Sequence, residues 1–148
     1  MNLFKQFDHV GIAVRDTETA LVTYRDILGG LVTSYREIGT TQDYYFTQFL
    51  LGKQKIELIE PRGQSESFLT RFLAKWGEGL HHLTFQVESI KIATNRLKEK
   101  GLKITDEFYE DPNWKIAFIS PRGTSGVLIQ LYETTSGSKY DHIIPQVL

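Results

Sequence analysis

Four side chains in this sequence could hold a metal ion together: His9, Glu57, His82 and Gln130. Two imidazole nitrogens and two side-chain oxygens suit one divalent first-row ion (Co, Mn, Ni, Fe or Zn) and leave room for a substrate or water. Their spacing ties them in pairs. His82 follows His9 by 73 positions, and Gln130 follows Glu57 by the same 73. Under that one shift FDHVGIAV lies on LHHLTFQV, and KIELIE lies on LIQLYE. A strand histidine taken alone is more often structural, and a carboxylate within an apolar strand can simply be part of an ion pair. Four positions joined by one repeat are harder to assign to chance.

The elements that must carry these residues follow from apolar periodicity. Phe7 to Val14 alternates, with Val10, Ile12 and Val14 on one face and His9, Gly11 and Ala13 on the other. Asp16-Thr17 offers a helix cap, and Ala20, Leu21, Tyr24 and Leu28 recur at helical spacing until Gly29-Gly30. Leu31–Ile38, Tyr44–Leu51 and Lys53–Glu60 read as strands, the last two joined by a short turn around Gly52. Ser65–Trp76 reads as an amphipathic helix with Phe68, Leu69, Phe72, Leu73 and Trp76 on one stripe. The order then repeats: a strand from Gly79, a helix from about Ile90 to Lys100, and strands near 102–108, 115–119 and 127–132.

Parity separates the two adjacent histidines of GEGLHHLTFQV. His82 shares a face with Thr84 and Gln86, while Leu83, Phe85 and Val87 share the other with His81. Three large apolar side chains need the helix-covered core, so His82 faces a polar cavity and His81 lies on the packed side or at the strand's start. By the same count Gln130 stands opposite Ile129 and Leu131, and Glu57 stands opposite Ile56 and Leu58.

Composition narrows the function classes. The chain has 148 residues, 41% hydrophobic and 24% charged, with net charge −1, which suits one globular domain or two small halves sharing a core. No basic excess points to nucleic acid or an anionic membrane. A signal peptide is not expected from MNLFKQFDHVGIAV, no apolar run approaches bilayer length, and a cytoplasmic location is the default. Cysteine is absent, which removes disulfides, thiol nucleophiles and thiolate metal sites.

FDHVGIAV, KIELIEP, GEGLHHLTF and SGVLIQL, in this order, resemble the vicinal oxygen chelate (glyoxalase/bleomycin resistance/dioxygenase) superfamily, and within it most resemble the methylmalonyl-CoA epimerases. The resemblance covers about residues 5–133. It implies an α+β fold of two tandem βαβββ modules, about 5–60 and 79–133 with a linking helix at about 65–76, forming a cup-shaped mixed sheet with helices outside. It implies one domain over 1–148, one divalent ion held by His9, Glu57, His82 and Gln130, and a homodimer. The implied activity is a metal-dependent epimerase or isomerase that stabilises an enolate of a malonyl-type acyl-CoA. A glyoxalase-like lyase, a ring-cleaving dioxygenase and a non-enzymatic small-molecule-binding protein are the alternatives on the same fold.

Relatives usually carry Glu where this chain has Gln130, and that Glu is a candidate base. An amide can coordinate but cannot take a proton. Some epimerases carry Gln at the position matching Glu57 and Glu at the last position, so the two are exchanged here. The exchange keeps the ligand set with its orientation reversed across a pseudo-twofold, and makes Glu57 the ligand that can also serve as catalytic base. The second acid/base stays open among Tyr45, Tyr132, Glu107, Glu110 and Asp111. Tyr109–Trp114 reads as a surface turn or a loop over the site. Thr134–Leu148 falls outside the resemblance and has no functional reading.

Overall fold

A computed structural model of the chain describes residues 2–135; the stretch 136–148 lies outside the described residues. The elements run β1 (Phe4–Ala13), α1 (Thr17–Leu21) continued by a π-helical segment (Val22–Ile27), β2 (Leu31–Ile38), β3 (Tyr44–Leu51), β4 (Gln54–Pro61), α2 (Phe68–Trp76), β5 (Gly79–Val87), α3 (Ile90–Glu99), β6 (Ile104–Phe108), β7 (Trp114–Ile119), a 3-10 turn (Pro121–Gly123) and β8 (Ile129–Thr134). This is the expected α+β class, with the βαβββ order present twice. The strands form one eight-stranded sheet in the order β2-β3-β4-β1-β5-β8-β7-β6. Within each half the first strand therefore neighbours the fourth, the fourth the third, and the third the second. None of the helices among the described residues is long and apolar enough to cross a membrane.

The chain packs as two compact units. Among the described residues one is Val10–His81; the other joins those up to His9 with those from His82 to Thr135. In the first unit, consecutive residues of a strand divide between two clusters. Val14 and Leu58 pack with Leu21 and Phe49, while Ala13 and Ile59 pack with Leu69 and Leu73 of α2. That division is the two-residue period of β1 and β4 made visible. In the second unit, Val87, Ile90, Ala93, Ala117, Ile119 and Leu131 form the buried core, with Phe85 and Ile129 packed against it.

Strand registers place the polar residues of the sheet. β3 and β4 meet at a two-residue turn, Leu51 opposite Gln54, with Gly52 at φ +58° as the tight turn requires. That turn sets Gln48 directly opposite Glu57. The connection from β7 to β8 is longer, and it sets Phe118 opposite Gln130. β5 and β8 run parallel with Thr84 beside Gln130.

Three element expectations are corrected. α2 begins at Phe68 rather than Ser65, because Ser67 and Thr70 form a reciprocal capping box that starts the helix there. Trp76, expected on the apolar stripe, is the last residue of α2 and is 68% exposed, with the Lys75 ammonium over its ring. β8 begins at Ile129 rather than Val127, because the turn after Ser120 runs on through Ser125 and Gly126, both at positive φ, and the Val127 amide bonds back to Thr124.

Phe49 is fully buried in the cluster with Val14, Leu21 and Leu58, with the Tyr24 ring tilted beside it at 5.2 Å between centroids. Phe49→Ala is expected to lower the unfolding free energy by about 3–5 kcal/mol, read as a shift in the urea midpoint at unchanged slope.

Candidate metal centre

β1 and β5 bring two imidazoles together: the His9 and His82 rings stand 5.5 Å apart, centroid to centroid, edge to face. Both are buried. Asp8, the residue before His9, turns its carboxylate back so that Oδ2 lies 2.6 Å from His9 Nδ1. A carboxylate in that position holds the proton on Nδ1 and leaves Nε2 as the lone-pair donor, the arrangement that metal-binding histidines adopt. Asp8 is held in turn by the Tyr132 hydroxyl, which donates to Oδ1 at 2.9 Å. Tyr132 is fully buried and stacked on Trp114. Burial first, and then Asp8, push its hydroxyl well above the usual tyrosine range, which suits a hydrogen-bond donor.

Gln130 joins the same unit through Thr84. The Thr84 hydroxyl donates to Gln130 Oε1 at 2.8 Å and lies 3.1 Å from His9 Nε2. One hydroxyl thus stands between two of the expected ligands, its proton given to Gln130, on the strand that carries a third.

Glu57 sits on β4, only 9% exposed. Its Oε2 accepts from Gln48 Nε2 at 2.8 Å. Tyr44, on β3, has its hydroxyl pushed up by burial first and by Glu57 second. His9, His82 and Gln130 stand in one compact unit and Glu57 in the other. Two imidazoles with a carboxylate, and an amide oxygen hydrogen-bonded beside one of the imidazoles, are a donor set that fits a divalent first-row ion.

His81 occupies the packed side, one of the two places left open for it. Its ring lies 4.8 Å from Phe72 and 5.6 Å from Phe68. The remaining acid/base candidates occupy other surroundings. Arg36 covers the Tyr45 ring at 4.4 Å, with Arg62 at 5.7 Å. Glu107 accepts from Lys98 and from Tyr109, which holds its carboxyl below the usual range. Glu110 is exposed, and Asp111 accepts from the Asn113 amide, closing the turn before β7. Two residues that periodicity does not single out, Asp8 as a partner of His9 and Gln48 as a partner of Glu57, complete the polar surroundings. A signal for Gln48 does exist in the sequence: a two-residue turn at Gly52-Lys53 leaves only one register for the hairpin, and position 48 then faces position 57.

The family model described as Glyoxalase/Bleomycin resistance protein/Dioxygenase superfamily matches residues 8–118. The uncharacterized protein YqjC of Bacillus subtilis is 35% identical over 139 residues, 93% of this chain and 98% of that one. The mitochondrial methylmalonyl-CoA epimerase of Mus musculus is 35% identical over 130 residues, 85% of this chain and 71% of the mouse protein. Among solved structures, the methylmalonyl-CoA epimerase of Mycobacterium tuberculosis matches with a TM-score of 0.78 and 31% identity, covering 91% of each chain.

The His81 environment gives a pH dependence. Burial among the two phenylalanines holds its pKa down, from the ordinary 6.5 to about 4, with Glu57 opposing the shift. The unfolded chain protonates this ring below about 6.5 and the folded chain only near 4, so unfolding takes up a proton between those values. Stability is therefore expected to fall as pH drops from 6.5 toward 4. Urea midpoints measured across that range should fall less steeply in His81→Leu, and an equal slope in both proteins would contradict the assignment.

Proposed function

The chain belongs to the Glyoxalase/Bleomycin resistance protein/Dioxygenase superfamily, and from that premise we propose that it is a metal-dependent epimerase of a malonyl-type acyl-CoA. The observation that carries the reading is the pair of buried imidazoles, His9 and His82, with rings 5.5 Å apart and the Gln130 amide oxygen held beside them through Thr84. Support for the substrate comes from the epimerases at 31–35% identity, whose names specify methylmalonyl-CoA. Gln130 is the fourth ligand, its Oε1 presented beside His9 by the Thr84 bond.

A divalent ion held by these residues supplies Lewis-acid stabilisation of the negative charge that develops on a substrate carbonyl oxygen. The chain's own residues do the rest. Asp8 keeps the proton of His9 on Nδ1, so that Nε2 would be the donor to an ion. Glu57 would hold an ion through a carboxylate oxygen and would accept the proton from the carbon between the thioester and the carboxylate. Gln130 coordinates without competing for that proton, because an amide has no basic site at neutral pH. Epimerisation requires the proton to return on the opposite face, from a second acid or from water.

Gln130 departs from the Glu that relatives usually carry at that position, epimerases included, so what favours this reading over the lyase and dioxygenase alternatives is the epimerases among the relatives. A protein that only binds a small molecule has no need of a complete ligand set.

Elemental analysis of the purified protein is expected to find about one first-row metal per chain, lost in His82→Ala. The loaded wild type should incorporate solvent deuterium at the carbon between the two carbonyl groups of methylmalonyl-CoA. Glu57→Gln should slow that exchange by about 100-fold or more while its amide still coordinates. Metal uptake without exchange would sink the epimerase reading, and wild-type exchange in Glu57→Gln would remove Glu57 as base.

A further inference from the structure

Gln48 is a buried amide whose position makes little sense for stability alone. It is 2% exposed, at the centre of β3 between Thr47 and Phe49. Its Nε2 donates to Glu57 Oε2 at 2.8 Å, while its Oε1 is buried with no hydrogen-bond partner among the described residues. Burying half an amide unpaired costs free energy that a methionine or leucine of similar shape would not. The amide orientation is fixed by chemistry: an ionised carboxylate only accepts, so the NH2 end must face Glu57. The second half of the chain offers a contrast, because the residue opposite Gln130 is Phe118, which has no donor.

We propose that Gln48 is a positioning residue for Glu57, which occupies one carboxylate oxygen so that the other alone is presented to a bound ion. A carboxylate free at both oxygens can chelate an ion in bidentate fashion. With Oε2 held by Gln48, Glu57 coordinates through Oε1 only, and the position that bidentate binding would take stays open for substrate. The same bond prevents the carboxylate from turning about its terminal torsion, which is otherwise broad. Ser34 lies opposite Gln48 on β2 and is also buried, with its hydroxyl unpartnered among the described residues. It belongs to the same cross-strand row without bonding Glu57, so it serves as the neighbouring control.

The inference rests on Glu57 being a metal ligand, as proposed above, and its test does not use catalysis. Co2+ is titrated into wild type, Gln48→Met and Ser34→Ala, following both affinity and the visible absorption of the bound ion. Gln48→Met is expected to lower Co2+ affinity by about tenfold or more and to change the absorption spectrum as the second carboxylate oxygen joins the ion, with Ser34→Ala matching wild type. Affinity within about twofold of wild type and an unchanged spectrum in Gln48→Met would overturn the inference. So would weaker binding with an unchanged spectrum and a matching loss in the urea midpoint, which assigns Gln48 a purely structural role. Absence of deuterium exchange in the loaded wild type, by contrast, would remove the epimerase reading and leave this result standing.

Discussion

A polar side chain on a buried strand must find a hydrogen-bond partner on its own face, because the opposite face is given over to apolar packing. That constraint organises the site. His9, Glu57, His82 and Gln130 are all at most 9% exposed, and each stands on a strand whose other face supplies the core. Leaving such groups unsatisfied would cost several times the net value of an ordinary hydrogen bond. The structure answers with short local links: Asp8 to His9, Tyr132 to Asp8, Thr84 to Gln130, and Gln48 to Glu57. Each link fixes a rotamer, a tautomer or an oxygen, so the same bonds that make burial tolerable also orient the donors.

The two halves solve this problem differently. In the first, the carboxylate of Glu57 is restrained by an amide across a tight hairpin. In the second, the amide of Gln130 is restrained by a hydroxyl from the parallel neighbour β5, and the hairpin partner is an aromatic ring. The asymmetry matches the chemistry assigned to each. The carboxylate proposed as base has a second oxygen beyond the one Gln48 holds, while the amide proposed only as a ligand has its single oxygen bonded by Thr84. Gly11, the counterpart of Thr84 under the 73-residue shift, has no side chain with which to repeat the second arrangement in the first half.

Much of this is legible in the residues. The 73-residue shift pairs the ligands, and alternation assigns His82 to the polar face and His81 to the packed one, where Phe68 and Phe72 surround it. The βαβββ order and its repetition follow from periodicity, with helix and strand ends misplaced by two or three residues where caps and turns intervene. Ser67 and Gly126 are those punctuating positions.

What the sequence determined by itself is therefore which strand face each donor occupies, since a period of two leaves no other choice once the apolar face is known. Tertiary structure decided which neighbour each donor meets. The shift that pairs Glu57 with Gln130 also pairs Gln48 with Pro121, yet the residue opposite Gln130 is Phe118, three positions earlier, because the β7–β8 connection is longer than the β3–β4 turn. Asp8 likewise reads as a strand residue pointing away from His9, and only its rotamer and the Tyr132 hydroxyl show that its carboxylate curls back to the ring. Loop length sets register and packing sets rotamers, and neither has a period that can be counted along the chain.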